Sequence, residues 1–125
     1  MTADQRWTPR QVSAAAHLLK HARTGQRLVY LGNCMADARH VLRLIARHEE
    51  QEPTGARVRL GNGLEGYDHH PSGGSILFRT LNHGSAALHG LSPDRILVDD
   101  RRDLRHVDLA IAEHAGASIG LVDDL

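Results

Sequence analysis

The chain has 125 residues, 41% hydrophobic and 24% charged, which are the proportions of a single globular domain covering residues 1–125. Fifteen basic residues balance fifteen acidic ones, so the net charge gives no general attraction for nucleic acid. No apolar stretch approaches the roughly 20 residues that a membrane-spanning helix needs, and the amino terminus lacks the apolar centre of a secretory signal. We therefore expect a cytoplasmic protein with no membrane partner, in agreement with the single cysteine, Cys34.

The first half of the chain predicts a helix, a strand and a second helix. Thr8 is a good N-cap, with proline after it and Gln11 three residues on, and the helix should extend to about Thr24. Its apolar stripe is Val12, Ala15, Ala16, Leu19 and Ala22. Residues 28–31 form an apolar run typical of a strand buried on both faces of a parallel sheet. A helix over residues 35–50 follows, with a solvated row of arginines: Arg39, Arg43 and Arg47.

The second half predicts shorter elements. Residues 57–60 are a strand candidate, and residues 67–78 contain a P-S-G-G turn that indicates a β-hairpin. Further strands are predicted at residues 95–98 and 118–122, with a third helix at about 103–114 between them. Strands that alternate with helices in this way predict an α/β fold: a small three-layer domain with an open, mostly parallel sheet and flanking helices.

Four segments of the chain match, in order, the pattern of a known ATPase family. Residues 25–31 are similar to a G-Q-R-hydrophobic strand, and residues 72–79 to a small hairpin with an S-G-G turn. Residues 88–94 are similar to an A-R-G-hydrophobic-S-x-D stretch, and residues 96–100 to a Walker B strand. Together, from about residue 9 onward, they resemble the ATPase core of phage terminase large subunits and related helicase-like P-loop ATPases. The resemblance implies a remnant of the P-loop NTPase, RecA-like core, of phage or prophage origin.

Three departures from the family pattern argue against ATP hydrolysis. Residues 1–8 are too few to supply the strand and phosphate loop that the family places before its first helix, and no G-x-x-x-x-G-K-[ST] loop occurs elsewhere. His89 stands where the family usually has arginine, and the Walker B segment ends in Asp-Asp and not Asp-Glu. Phosphoryl transfer needs backbone N–H groups, a lysine and Mg²⁺ acting together. We therefore expect no cofactor, and Mg²⁺ with ATP only if a partner supplies the phosphate loop.

Asp99 and Asp100 are the catalytic candidates if the chain is active, and they have two interpretations. In the first, they serve as a ligand for metal-bound water and as a base. In the second, they are a solvated pair that caps the helix predicted to begin near residue 103. Acidic groups at a helix start are favourable by about 0.3–1 kcal/mol each, so their presence there needs no catalysis. The sequence favours the second interpretation.

Histidines raise the question of a metal site. Three neighbouring residues carry side chains that can bind Zn²⁺: Asp68, His69 and His70. Loop histidines His83 and His89 are further candidates, but ten histidines make chance clusters common. Adjacent residues of a strand point to opposite sides, so this group cannot converge easily, and we expect no metal site. His17 and His21 share one helix face and are predicted to form a solvated ridge.

The sequence predicts a degenerate P-loop-ATPase-like domain that works without nucleotide as a protein-binding or regulatory module. Its partner would be another protein, or a second copy, bound through an exposed sheet edge. One alternative is a subunit of a split ATPase that supplies the Walker B carboxylates. A second alternative, disfavoured by the balanced charge, is a nucleic-acid-binding accessory protein with contacts from four arginines: Arg79, Arg101, Arg102 and Arg105.

Overall fold

A mixed six-stranded sheet organises the computed structural model, which describes residues 7–32, 34–61, 65–80, 92–99 and 116–125. Two of its helices, α1 (Pro9–Ala22) and α2 (Met35–Gln51), pack on one face of the sheet. The strands in chain order are β1 (Arg27–Gly32), β2 (Arg57–Arg59), β3 (Gly66–Asp68), β4 (Ser75–Thr80), β5 (Arg95–Val98) and β6 (Ser118–Leu121). A 3-10 turn, Val122–Asp124, follows β6.

The sheet has the spatial order β2-β3-β4-β1-β5-β6. Strand β1 pairs in parallel with β4 and β5, and β5 pairs in parallel with β6, whereas β2, β3 and β4 form an antiparallel meander. The predicted α/β class and the predicted hairpin are confirmed, but the sheet is more mixed than expected. The third predicted helix, at residues 103–114, and most of the loop before β5 lie outside the described residues, and the single-domain assignment stays a prediction.

Strand β1 is the centre of the core, as its apolar run predicts. Its residues from Leu28 to Leu31 are all at most 1% exposed, and alternate side chains enter the cores on the two faces of the sheet. Asp94 fixes β1 against the start of β5, because its carboxylate accepts a 2.8 Å hydrogen bond from the Arg27 N–H. The predicted apolar stripe of α2 is also confirmed: Ala38, Val41, Leu42 and Ile45 are fully buried.

Helix α1 begins as predicted but is rotated. The Thr8 hydroxyl accepts from the Gln11 N–H at 3.2 Å, and the Gln11 side chain accepts from the Thr8 N–H at 2.9 Å. The predicted stripe is only partly correct, because Val12 and Ala16 are exposed whereas Ala14 and Leu18 are buried. Helix α1 therefore carries two apolar side chains, those of Val12 and Ala16, that lie outside the hydrophobic core.

Two charged side chains of α2, Arg39 and Glu49, have partners within the chain. Arg39 does not stand in a solvated row, since it forms a 3.1 Å ion pair with Glu65, which is fully buried. Glu49 lies in the core, where its carboxylate accepts hydrogen bonds from the Thr54 N–H and, at 2.7 Å, the Thr54 hydroxyl. Burial alone would raise the pKa of Glu49, but these hydrogen bonds and the nearby Arg23 guanidinium hold that pKa below its ordinary value. Glu49 thus fixes the segment after α2.

His17 and His21 do not form the predicted solvated ridge. Both side chains are half-buried, with ring centroids 4.4 Å apart. Burial, together with the positive charges of His21, Arg95 and Lys20, lowers the pKa of His17 to about 4. The neutral imidazole is therefore the form that the fold accommodates.

The turn between β3 and β4 contacts the carboxyl end of α1. The Ser72 hydroxyl donates a 2.9 Å hydrogen bond to the Ala22 carbonyl, one of the acceptors that a helix end leaves without an intrahelical partner. Gly74 passes so close to the same carbonyl that an added Cβ would lie 1.7 Å from its oxygen. The S-G-G turn thus has a structural role, because it connects the helical layer to the sheet.

Replacing Gly74 by alanine should lower the free energy of unfolding by about 3 kcal/mol, because either the turn or the end of α1 must move. Urea denaturation of the purified variant measures this loss. Gly61→Ala is the matched control, since a Cβ there meets nothing within 4 Å. Equal denaturation midpoints for the two variants would contradict the close packing of Gly74 against α1.

Replacing His17 by glutamine should reduce the pH dependence of stability. His17 takes up a proton near pH 6.5 in the unfolded chain but only near pH 4 in the folded chain. The free energy of unfolding is therefore undiminished above pH 6.5 and decreases as the pH falls toward 4. The difference in unfolding free energy between about pH 7 and about pH 4.5 should therefore be smaller in His17→Gln. His69→Gln, at a well-exposed position, is the control, and an unchanged difference in His17→Gln would show the inference to be wrong.

Candidate carboxylate site

The parallel strands β1, β5 and β6 end at one edge of the sheet, where ligands bind in open α/β folds. Four side chains meet there, and we name them the carboxyl-edge cluster: Arg10, Tyr30, Asp99 and Asp123. They come from the first turn of α1, from β1, from the residue after β5 and from the 3-10 turn after β6. The topology thus brings together residues that are far apart in the chain.

Asp99 is fixed in place by its backbone and its side chain. Its N–H donates a 3.0 Å hydrogen bond to the Leu31 carbonyl, which extends the β1–β5 pairing by one residue. Its carboxylate, with the side chain 22% exposed, lies 3.3 Å from the Arg10 guanidinium, which also donates to the Asp99 backbone carbonyl. Asp99 is therefore held by an ion pair and by two contacts through its main chain.

Arg10 joins Asp99 to a second carboxylate. Its Nη1 lies 2.6 Å from Oδ1 of Asp123, while its Nη2 contacts Asp99. The side chain of Arg10 is 46% exposed, so each ion pair is partly screened by water. The fork geometry of a guanidinium lets one side chain bridge both carboxylates, which a lysine could not do in the same way.

Tyr30 contributes a buried hydroxyl to the same cluster. Its side chain is 1% exposed, packs against Phe78 with ring centroids 5.5 Å apart, and lies near the Asp99 carboxylate. Burial raises the pKa of Tyr30, and the negative charge of Asp99 raises it further. The phenol therefore stays protonated beside the Asp99 carboxylate.

The cluster leaves Asp99 poorly suited to hold a cation. Mg²⁺ is usually retained by one or two carboxylates together with substrate phosphates. At Asp99 a cation would compete with a guanidinium at 3.3 Å. The arrangement is therefore suited to neutralising the carboxylate and fixing the start of α1 on the sheet.

Sequence reasoning identified Asp99 but neither its surroundings nor its partners. The Asp99 carboxylate is half-buried and ion-paired, and not fully solvated as expected. Asp100 and the helix that the pair was predicted to cap lie outside the described residues, so the capping role stays a prediction. One signal for Arg10 was present. The first turn of α1 contains a basic residue and no acidic one, which opposes the helix dipole and indicates that Arg10 has an acidic partner elsewhere. No local pattern could have placed Tyr30 or Asp123 beside it.

The structure does not bring the candidate metal ligands together. Asp68 forms a 2.5 Å ion pair with Arg59, His69 is largely exposed with its Nε2 3.7 Å from Asp68, and the His70 Nδ1 lies 2.8 Å from the Ser72 hydroxyl. Among the residues that the structure describes, no group of three histidine, cysteine or acidic side chains could hold a metal ion. His83 and His89 fall outside those residues.

The candidate nucleic-acid contacts are only partly described. Arg79 is part-buried, and its Nη1 donates a 3.1 Å hydrogen bond to the Phe78 carbonyl, so that nitrogen is already engaged within the chain. The other three arginines, Arg101, Arg102 and Arg105, lie outside the described residues. A contact with nucleic acid from these four residues therefore stays a prediction.

Comparison with known proteins finds similarity in fold only. No protein-family model and no curated protein matches the chain. The large terminase ATPase domain of Thermus phage P74-26 superposes with a TM-score of 0.50 and 13% identity, over 89% of this chain and 51% of the phage chain. An arginine-to-alanine mutant of the same domain gives a TM-score of 0.55 and 12% identity, over 89% and 52%.

The structural neighbours support the resemblance that the sequence suggested. This chain has a distant terminase-like α/β fold, and it spans about half the length of the phage ATPase domain that it matches. At 12–13% identity the likeness concerns the fold and carries no residue roles. In the described part of the chain, no helix has both the length and the apolar character to cross a bilayer.

Proposed function

We propose that this chain is a degenerate, phage-derived P-loop-ATPase-like domain that works without nucleotide and binds another protein, or a second copy of itself, as a binding or regulatory module. The observation that carries the proposal is the contact between Arg10 and Asp99, because it uses the Walker B-like carboxylate as half of an internal ion pair. A P-loop ATPase needs that carboxylate for the metal. Here the residue serves the fold.

The position of the lysine supports the same proposal. Lys20 is the only lysine in the chain, and it lies in the last turn of α1. It is ten residues from Arg10, so the two are separated by about 15 Å along the helix axis. A lysine at that distance cannot neutralise phosphate oxygens beside Asp99. The group that reaches Asp99 is a guanidinium already bound to two carboxylates.

The outer edge of β6 is the proposed binding surface. Among the strands that the structure describes, β6 is terminal in the sheet order and its four residues are all uncharged, whereas the opposite edge strand, β2, carries Arg57 and Arg59. Charged residues on an edge strand discourage pairing with other chains, so β2 is protected in a way that β6 is not. The Ser118 N–H donates a hydrogen bond to the Asp94 backbone carbonyl. Because successive N–H groups of a strand point to opposite sides, the N–H of Ile119 is directed away from β5.

The split-ATPase alternative has one observation in its favour. Asp99 lies at the carboxyl end of β5 beside the amino end of α1, which is where a phosphate loop from a second chain would have to approach. In that case the ion pair with Arg10 would open to admit Mg²⁺. The ATPase activity would then belong to the assembly and not to this chain.

Addition of millimolar MgATP should leave the melting temperature of the purified chain unchanged, because a ligand raises it only by binding the folded state. The Arg10→Ala variant should show no rise either, since releasing Asp99 does not create a phosphate cradle. Mg²⁺ without ATP is the control. A rise of about 2 °C or more for the wild-type chain alone would contradict nucleotide independence.

A lysine on β6 should block strand pairing at that edge. In sedimentation velocity, we expect the wild-type chain to show concentration-dependent self-association through β6, and Ser118→Lys to abolish it. Ser13→Lys, on an exposed position of α1, is the matched control and should behave like the wild type. Two results would contradict pairing through β6. One is a wild-type chain that stays monomeric at high concentration, and the other is an equal effect of Ser118→Lys and Ser13→Lys on self-association.

A further inference from the structure

An apolar groove lies between α1 and α2 on their outer surface. It has a volume of about 360 Å³, and its apolar lining includes Val12, Ala16, Leu19 and Leu44. We name it the α1–α2 groove. None of the four residues of the carboxyl-edge cluster lines this groove.

The groove explains the apolar residues of α1 that the core does not use. Val12 is 48% exposed and Ala16 is also exposed, although both continue the apolar pattern of the helix. Ala14 and Leu18 face the sheet core instead. Helix α1 therefore has a second apolar face, and burying that face would be favourable by about 25 cal/mol per Å² of apolar surface.

A second depression continues the groove toward Trp7. It has a volume of about 150 Å³ and shares Leu44 and His48 with the first. The Trp7 indole is fixed there, because its Nε1 donates a 3.0 Å hydrogen bond to the His40 carbonyl and the Arg47 guanidinium lies 5.6 Å from its ring centre. From Lys20 to Val12 the groove follows about 12 Å of helix axis, the length of two helical turns.

The charges on the groove all have one sign. Its charged lining residues are Lys20 and Arg23, the adjoining depression adds Arg47, and none of the described residues that line either one is acidic. Arg23 has partners within the chain, since it lies 3.8 Å from Glu49 and 3.3 Å from the His48 ring. Lys20 is exposed beside the apolar floor. The rim is therefore complementary to a negatively charged ligand.

We propose that the α1–α2 groove binds an amphipathic, acidic helix of another protein. Two helices form its walls, and their backbone groups are used within the helices, so recognition must come from side chains and not from strand pairing. Apolar anchors spaced four residues apart would fill the floor, and acidic side chains beside them would meet Lys20 and Arg47. A symmetric dimer through this face would instead bring the same basic residues together.

The test uses a synthetic helical peptide with leucines at every third and fourth position and glutamates elsewhere. Trp7 is the only tryptophan in the chain, so its fluorescence reports on the groove directly. We expect a saturable fluorescence change on titration of the wild-type chain. The same peptide with lysine in place of every glutamate should bind at least about tenfold more weakly.

Ala16→Glu places a bulky negative charge on the floor and should weaken binding of the acidic peptide at least about tenfold. The fold should tolerate it, because residue 16 is exposed and a glutamate there can pair with Lys20 one turn later. Ser13→Glu, on an exposed position of α1 outside the groove lining, is the matched control and should bind like the wild type. Melting temperatures of both variants verify that they are folded.

Three results would overturn the proposal: no saturable response of Trp7, equal affinities of Ala16→Glu and Ser13→Glu, or self-association of the wild type that Ala16→Glu abolishes. The last would assign the groove to a second copy. Peptide binding in the α1–α2 groove and strand pairing through β6 can be contradicted independently. Ser118→Lys changes only the β6 edge and should leave peptide binding intact.

Discussion

The bridge from Arg10 to Asp99 and Asp123 is the interaction on which the arrangement of this chain depends. It fastens the start of α1 to the ends of β5 and β6, just as Ser72 and Gly74 fasten the other end of the same helix. An ion pair at the surface stabilises by at most about 1 kcal/mol, so its importance lies in position more than in energy. It gives the carboxylate at the end of β5 a structural partner.

The local elements were predictable because they depend on neighbouring residues. The Thr8 capping box and the buried run of β1 follow from patterns within a few positions, and both are confirmed. Contacts between distant elements were not predictable in this way. Glu49 looks like part of a solvated acidic run until Thr54 and Tyr67 are brought to it, and the rotation of α1 that exposes Val12 depends on how α2 packs beside it.

The candidate site was likewise predictable in its local elements and not in its contacts between distant elements. The strand before Asp99 was recognisable from sequence, but its partners come from three elements that no spacing rule connects. Fold similarity to a phage ATPase domain at 12% identity therefore says how the strands are arranged and leaves the chemistry to the local contacts. In our proposal, those contacts have turned a metal-binding carboxylate into a structural one, and binding has moved to a sheet edge and a helical groove.

A double-mutant cycle on Arg10 and Asp99 tests this account most directly. The unfolding free energies of Arg10→Ala, Asp99→Asn and the double variant, measured in urea, isolate the pairwise term from the contact of Arg10 with Asp123. The account predicts a favourable coupling of about 0.5–1 kcal/mol, as expected for a partly screened pair. A coupling of zero, with Asp99→Asn as stable as the wild type or more so, would contradict it, because the carboxylate would then be free for another role.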